Sequence, residues 1–491
     1  MNRRALSLAA VAVLAGCAVG PGFHPAPVAP GTAQVGIESR TDSIRSFQDS
    51  LAAVRAADTV NRSAPPRPVS AQGIADLAWL DILHDSVLVG LVETALRQNK
   101  DLALAQARIS EFRAQAGSAR APLFPRLTVN AGASTNQTVF GAAPPVQFDA
   151  LRVTGDVAWE LDFWGRIRRG MQAANEDLAA QRAAERATVL SLVSDVATGY
   201  LQLLELDQER AVAEQTLASR RATLALAQQR FARGVISELD VRQFEAQLAV
   251  PAVRLAQVER LRAQQEHALS VLLGEAPVTV PRGGSLTSAT QAVTVPDSVP
   301  ATLLERRPDV EQAQRAYAAA TARIGVADAA RLPTIAITGF YGSQSPTSAN
   351  LFTSGAEVYQ LQGGISIPLF AGGRLANDAR AARARAEQAR ASYERTALNA
   401  LREAGDALVA ARAARDEVAA SETQAVALRR ALQLADLRYQ TGVSGYLEVL
   451  DAQRGLFDAE LGLSQANLRQ LTAAVQLYKA LGGSWRAGTS R

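Results

Sequence analysis

Residues that commonly carry enzyme chemistry are scarce in this sequence. The 491 residues include three His and one Cys, which is little material for a metal site or a thiol mechanism and rules out an intrachain disulfide. His84 and His267 each adjoin a carboxylate residue, but neighbours in a helix point to different faces, and neither His accompanies a nucleophile motif. We therefore expect a protein that is not an enzyme and that needs no cofactor or metal ion.

Composition favours long helices and argues against nucleic-acid binding. Hydrophobic residues make up 48% of the chain, but aromatic residues only 5%, and Ala and Leu supply much of the apolar total. That mixture is typical of long helices rather than of a sheet-rich domain. The formal net charge is only +4, with acidic and basic residues interspersed, so we expect no nucleic-acid partner.

The only Cys ends an N-terminal segment that is typical of a bacterial lipoprotein signal. Arg residues at positions 3 and 4 precede an apolar run over 5–14, which is too short to span a bilayer. The run continues into Leu-Ala-Gly-Cys at 14–17, which matches the lipobox, so we predict a signal peptide at 1–16 and acylation of Cys17. Ala18 stands where Asp is the usual inner-membrane retention signal, so the lipidated tether 17–75 should anchor in outer-membrane lipid.

The chain contains two tandem repeats. Shifting the sequence by 208 positions aligns its halves, so that Gly117 falls on Gly325 and Gly234 on Gly442. One constant offset over about 180 residues is poorly explained by chance. The predicted divisions are a first repeat at 76–275, a Pro- and Gly-containing linker at 276–300, a second repeat at 301–483 and a C-terminal tail at 484–491.

Each repeat is predicted to run through the same elements. A helix comes first, then a hairpin of two strands, then a hairpin of two helices. The ranges are 83–121, 124–163 and 168–273 in the first repeat, and 303–331, 332–370 and 376–481 in the second.

The strand hairpins alternate apolar and polar residues. Val153, Val157 and Trp159, for example, alternate with polar neighbours, which is the apolar-outside pattern of a transmembrane barrel. A soluble sheet with one buried face gives the same pattern, but the lipobox and the long flanking helices favour the membrane. Four strands per chain cannot close a barrel, and lipid does not tolerate an open edge, so subunits must pool their strands. Two chains would give eight strands and three would give twelve.

The helical hairpins are too long for an ordinary globular domain. Neither 168–233 nor 376–441 contains a Pro, and about 66 residues of helix extend roughly 100 Å. Each long helix ends at a Gly, 234 or 442, which we expect to adopt the left-handed conformation that terminates helices. The two turns would then be the tips of a helical bundle.

Four short motifs resemble those of the outer membrane efflux proteins (the TolC/OprM-like family), in the NodT-type lipoprotein branch. They are Cys-Ala-Val-Gly-Pro at 17–21, Trp-Glu-Leu-Asp-Phe-Trp-Gly-Arg at 159–166, Leu-Glu-Arg-Arg-Pro-Asp-Val at 304–310 and Pro-Leu-Phe-Ala-Gly-Gly-Arg at 368–374. The resemblance implies an α + β homotrimer, with a twelve-stranded transmembrane β-barrel continuous with a long periplasmic α-helical barrel. It also implies a passive, gated exit duct of a tripartite efflux pump, which an inner-membrane pump drives through a periplasmic adaptor.

The resemblance further implies two sets of site residues. The periplasmic gate would include Tyr439, Glu448 and Asp451, and in a trimer the two carboxylates would place six negative charges around a narrow mouth. They could equally be solvated surface carboxylates. Ser444 stands where some relatives have an Arg that latches the closed state. The adaptor-facing tips would be Arg230, Gly234, Val235, Arg438, Gly442 and Val443.

Two other functions fit the same sequence. The exit duct of a type I protein secretion system has the same fold and differs in its pump. A periplasmic coiled-coil lipoprotein without a pore would share the helices but not the strands.

Overall fold

The computed structural model of the chain describes residues 18–23, 34–36, 85–138, 145–287, 298–300 and 306–483. Predictions for the signal peptide, Cys17, most of the tether and the C-terminal tail concern residues outside these ranges. The elements within them are β1 (Gln34–Gly36), α1 (Ser86–Gln98), α2 (Lys100–Arg120), β2 (Arg126–Thr138), β3 (Val146–Leu161), α3 (Arg166–Ala232), α4 (Glu238–Leu273), β4 (Ser298–Pro300), α5 (Pro308–Ala329), β5 (Thr334–Ser345), β6 (Glu357–Ser366), α6 (Arg374–Gln440) and α7 (Tyr446–Ala480).

The chain divides into two compact units. The first, which we call the sheet unit, comprises the described residues of Met1–Ala26, Gln106–Ala184 and Glu311–Arg395. The second, the helical unit, comprises the described residues of Pro27–Ala105, Glu185–Val310 and Thr396–Arg491. The 67-residue helices α3 and α6 contribute residues to both units.

The sheet unit contains a four-stranded antiparallel sheet in the order β2-β3-β5-β6. The register places Leu127 opposite Val157, Val157 opposite Gly339, and Gly339 opposite Leu361. Because side chains alternate across a strand, this row and every second row beside it share one face of the sheet. Each strand therefore presents one apolar and one polar side, as its sequence predicts.

The junction between β3 and α3 explains the motif at 159–166. Arg166 pairs with Glu160 through two hydrogen bonds of 2.9 and 2.6 Å, which join the helix to the end of the strand. The Asp162 carboxylate accepts two backbone N–H groups in the first turn of α3, where a negative charge also opposes the helix dipole. The Trp164 indole donates to the carbonyl of Pro333, just before β5. The motif therefore fixes the helix relative to two strands.

Helices in the sheet unit pack through small side chains. Ala320 and Ile324 of α5 contact Ala382 and Ala386 of α6 in a buried cluster. Ion pairs such as Arg383–Asp328, at 2.8 Å, lie at the edge of the same contact. Small side chains permit close helix approach, which the Ala-rich sequence predicts.

The core of the helical unit surrounds Tyr200, which is 1% exposed. Its hydroxyl donates to Asp85 at 2.8 Å and accepts from the backbone N–H of Gly283 at 2.9 Å, and burial raises its pKa to about 12. Among the described helices, α3 alone has an 18-residue stretch apolar enough to cross a bilayer, and 56% of that stretch is buried inside the protein. Burial in this core therefore accounts for its apolar character.

Two details of the helical unit differ from, or add to, what the sequence predicts. The single helix predicted at 83–121 is two helices, because the Asn99 side chain accepts the first backbone N–H groups of α2 and donates to the carbonyl of Leu272. In the motif at 304–310, buried Arg307 donates to the carbonyl of Ala480 and pairs with Asp309 and Glu403, each at 2.7 Å. Burial opposes ionisation of Asp309, but Arg307 outweighs it and holds the pKa of that carboxyl group below its usual value.

Candidate functional site

One face of the sheet exposes large apolar side chains. Side chains on this face are far more exposed than a water-soluble sheet would tolerate, at 78% for Leu127, 80% for Val129, 77% for Leu361 and 68% for Ile365. A shallow apolar groove of about 600 Å³ is bordered by Leu127, Val129 and Leu361, together with Tyr341 and Tyr359. Such a surface requires a nonaqueous environment.

The opposite face carries polar and charged side chains. Asn130 donates to Asp156 at 2.8 Å, and the hydroxyl of Thr154 donates to the same carboxylate at 3.1 Å. The guanidinium of Arg152 lies over the ring of Phe340, 4.1 Å from its centroid. This face can border water while the other borders lipid, which is the division that a transmembrane barrel needs.

The sheet ends at β2 on one side and at β6 on the other. Within the described residues, the outer edge of each of these strands lacks a partner strand. Unpaired backbone groups are costly in lipid, so both edges need further strands before this surface can enter a membrane.

The two tips have the same backbone geometry. At the first, the N–H of Val235 donates to the carbonyl of Arg230 at 3.0 Å, and Gly234 has φ of 73°. At the second, Val443 donates to Arg438 at 2.9 Å, and Gly442 has φ of 76°. Both turns are Schellman motifs that end a long helix, with the left-handed Gly that the sequence predicts.

Each tip also exposes two apolar side chains at equivalent positions of the repeat. Val235 and Leu239 are 67% and 66% exposed, and their counterparts Val443 and Leu447 are 67% and 72% exposed. Exposed apolar groups beside a rigid turn are typical of a docking surface.

The structure brings Arg230 of α3 into contact with Tyr439 of α6. The guanidinium donates to the Tyr439 hydroxyl at 2.7 Å and lies 5.1 Å from the ring centroid. Tyr439 in turn packs edge-on against Tyr446, with centroids 5.4 Å apart, and Tyr446 packs against Phe244 with the rings tilted by 37° and their centroids 3.9 Å apart. One hydrogen bond and three rings therefore connect all four helices at the tips.

The predicted gate carboxylates lie in the first turns of α7. Glu448 and Asp451 border the same groove of about 420 Å³, so they share a helix face. Glu448 also pairs with Arg438 at 3.3 Å, and both side chains are about half exposed. In the first repeat, the carboxylate of Asp240 instead accepts hydrogen bonds from Ser237 as part of a helix cap, which lowers its pKa. The acidic groove therefore belongs to the second repeat.

A buried carboxyl pair was not predicted from the sequence. Glu205 and Glu209 of α3 are 6% and 1% exposed. Glu209 pairs with Arg254 of α4 and accepts a hydrogen bond from Gln465 of α7 at 3.2 Å, whereas Glu205 Oε1 has no hydrogen-bond partner among the described residues. Burial, together with the charge of Glu209, raises the pKa of Glu205 to about 8. The available signal was a Glu flanked by Leu on the apolar side of a long helix.

Local sequence patterns predict backbone turns and helix faces, but not contacts between distant side chains. The turns at 234 and 442 and the shared face of Glu448 and Asp451 follow from local spacing. The contact between Arg230 and Tyr439 joins residues 209 positions apart, which no local pattern signals. In the part of the chain that the structure describes, no group of three or more His, Cys, Asp or Glu side chains is placed to hold a metal ion.

Comparison with known proteins finds similarity over most of the chain. The outer membrane efflux protein family matches it twice, over residues 91–275 and 299–483. The antibiotic efflux pump outer membrane protein ArpC of Pseudomonas putida is 33% identical over 450 residues, which cover 87% of this chain and 92% of that protein. Outer membrane protein OprJ of Pseudomonas aeruginosa is 34% identical over 465 residues, which cover 90% and 95%.

Solved outer-membrane channels have the same fold. The structure of the outer-membrane channel OprN matches with a TM-score of 0.82 at 29% identity, and the match covers 96% of this chain and all of that one. The open state of the MtrE outer membrane channel of Neisseria gonorrhoeae matches with a TM-score of 0.81 at 27% identity, over 97% of this chain and 100% of that one. The predicted fold class is confirmed.

Proposed function

We infer that this chain, which belongs to the outer membrane efflux protein family, is the outer-membrane channel component of a tripartite efflux pump. The observation that carries this inference is the sheet, which has one exposed apolar face, one polar face and two open edges. Three copies would join edge to edge into a barrel of twelve strands, with the apolar face in lipid and the polar face around water. The chain would then be a passive conduit rather than an enzyme.

The strands are long enough for this role. β5 has 12 residues, and a strand tilted by about 45° advances roughly 2.3 Å per residue along the membrane normal. Its span of about 28 Å is close to the thickness of the hydrocarbon core. The 67-residue helices, at about 100 Å, would extend from the barrel into the periplasm.

The cargo would be drugs or other small toxic compounds. Relatives are named for the efflux of antibiotics and of toluene, and one for the export of pyoverdine. The inner-membrane pump would supply the energy and most of the selectivity. These names favour small molecules over the secreted proteins of a type I system.

The tips would dock the periplasmic adaptor. The exposed pairs Val235–Leu239 and Val443–Leu447 give each subunit two similar apolar patches, so a trimer would offer six around its end. Replacing Val443 and Leu447 by Ser should reduce adaptor crosslinking several-fold. Val426→Ser, at a 63% exposed position of α6 away from the turn, is the matched control. Equal crosslinking by all of these variants would remove the tips from the docking surface.

The gate would lie at the same end. Glu448 and Asp451 would ring the mouth, and the contact between Arg230 and Tyr439 would hold the helix ends together in the closed state. The ion pair of Arg438 with Glu448 would take the place of the latch that Ser444 cannot make. The acylated Cys17 would anchor each subunit in the outer membrane.

Two neighbouring residues of β6 test the barrel itself. Leu361 lies on the apolar face and Gln362 on the polar face, one residue apart. Leu361→Arg should prevent insertion and trimer formation, because Arg in lipid costs about 2–4 kcal/mol in each subunit. Gln362→Arg should assemble normally and change the ion selectivity of the pore. Heat-modifiable trimers on gels and conductance in planar bilayers measure both outcomes, and a water-soluble monomer without conductance would refute the channel.

A further inference from the structure

The residues that follow Cys17 lie in a groove of the sheet unit. The N–H of Val19 donates to the backbone carbonyl of Trp164 at 3.0 Å. Arg169 of α3 donates to the carbonyls of Val19 and Gly20, at 3.3 and 3.1 Å. Phe23 packs edge-on against Tyr317 of α5, with ring centroids 5.1 Å apart. The tether thus contacts α3, α5 and the residue Trp164 just before α3, through Val19, Gly20 and Phe23.

The groove fits the backbone of this segment rather than its side chains. A Cβ atom on Gly325 would lie 2.7 Å from the carbonyl oxygen of Val19, and one on Gly20 would lie 2.5 Å from the Cα of Gly325. Gly20 also has φ of 114°, which L side chains rarely adopt. Two glycines in contact therefore allow the tether to lie directly on α5.

The equivalent position of the first repeat makes no such contact among the described residues. Gly117 occupies in α2 the place that Gly325 occupies in α5, but an added Cβ there would meet no described atom within 4 Å. Arg169, whose guanidinium binds two tether carbonyls, corresponds to Asn377 in the second repeat, which has no guanidinium. The duplicated fold has therefore specialised one of two equivalent positions to hold the tether.

We propose that the groove formed by Trp164, Arg169 and Gly325 is a binding site for the acylated N-terminus. Binding there would place the acyl chains beside the end of the barrel at which β3 joins α3. This rests on the proposed acylation of Cys17. The peptide bond holds consecutive Cα atoms about 3.8 Å apart, so an acylated Cys17 would lie next to Ala18. Ala18 lies against Gly165, four residues after β3 ends at Leu161.

The occupant matches the chemistry of the groove. Residues 18–23 are Ala-Val-Gly-Pro-Gly-Phe and carry no charge, and acylation removes the charge of the new N-terminal amine. The guanidinium of Arg169 accordingly binds two carbonyl oxygens of the segment. If residues 18–23 were released from the groove, the lipid anchor could lie up to about 20 Å from the sheet unit, which is the length of six extended residues. Bound, they fix the position of the acyl chains relative to the row Leu161, Ile335 and Ile365.

A photoreactive fatty acid tests this position. Cells fed a diazirine-bearing palmitate would label Cys17, and ultraviolet light should crosslink the acyl chains to peptides containing Leu161, Ile335 or Ile365. Gly325→Ala should remove most of this crosslinking, because the new methyl group would lie 2.7 Å from the Val19 carbonyl oxygen, which is too close for both to keep their places. Gly117→Ala is the matched control and should leave the crosslinks unchanged. Ala has the higher helix propensity, so neither substitution should disrupt its helix.

A second variant and a second probe separate the possible failures. Arg169→Met removes the two hydrogen bonds without filling the groove and should weaken the same crosslinks. A benzoylphenylalanine at position 23 should crosslink to α5 near Tyr317, and Gly325→Ala should abolish that product. Crosslinks that persist in Gly325→Ala, or that fall equally in Gly117→Ala, overturn the binding site. Absence of any fatty acid on Cys17 overturns the acylated occupant, while conductance of the same protein reports on the channel function separately.

Discussion

Replacing Glu205 by Gln should remove a loss of stability that the helical unit undergoes as the pH rises. Glu205 is 6% exposed, and within the described ranges its Oε1 atom has no hydrogen-bond partner. The charged and polar groups facing it are Glu209 on the same helix, Arg254 on α4, and Ser464 and Gln465 on α7. Burial is the main cause that raises its pKa to about 8, from an ordinary value of 4.5, and Arg254 only partly opposes the shift.

The direction and size of the effect follow from this shift. A carboxyl group whose folded pKa is raised stabilises the fold fully below its unfolded pKa, and this contribution is lost as pH rises towards 8. Between pH 4.5 and pH 7 the difference is 2.5 pH units, or about 3 kcal/mol at 1.36 kcal/mol per unit. For a chain of 491 residues that corresponds to roughly 3 °C in the midpoint of thermal unfolding.

Thermal unfolding in detergent, followed by circular dichroism at 222 nm, measures this effect at pH 5, 7 and 8.5. Glu205→Gln is neutral at every pH, so its advantage over the wild type should grow as pH rises and level off above about 8. Glu422→Gln, at an exposed position of α6, is the control for the same chemical change outside the buried core. If the curves of Glu205→Gln and of the wild type run parallel from pH 5 to 8.5, the carboxyl group is not held neutral and the reasoning fails.

Three further predictions concern the gate and the anchor. The double substitution Glu448→Gln and Asp451→Asn should lower cation selectivity and weaken block by multivalent cations in planar bilayers. Glu422→Gln is the control. Unchanged block in the double variant would assign both carboxylates to the outer surface. Tyr439→Phe keeps the ring but removes the hydrogen bond from Arg230. Because a hydrogen bond to a charged group contributes about 1.5 kcal/mol or more, the open probability should rise roughly tenfold in single-channel recordings. Arg233→Gln at the same tip leaves that contact in place and should behave as wild type, so equal gating in both variants would contradict the role of Tyr439. Cys17→Ser should abolish incorporation of labelled palmitate, and persistent label would exclude the predicted anchor.

The sequence determined the fold class through patterns that are local and repeated. Alternation over 126–138 and 334–345 specifies strands, because side chains in a strand point alternately to opposite faces. The absence of Pro from 168–233, together with its Ala-rich composition, specifies α3, and Gly234 specifies where it ends. The shortage of strands for a closed barrel also follows from the sequence, since it depends only on their number.

Only the tertiary structure decided which distant side chains meet. The break at Asn99 depends on the carbonyl of Leu272, which lies 173 residues away, so helical periodicity alone predicts one continuous helix. The burial of Glu205 depends on α4 and α7 packing over one side of α3, and the same Glu on an uncovered helix would be an ordinary surface residue. Gly117 and Gly325 are equivalent in the sequence repeat, yet the described residues of the tether lie against Gly325 and not against Gly117. Local patterns fix backbone conformation, whereas the environment of a side chain depends on segments that reach it only in the folded chain.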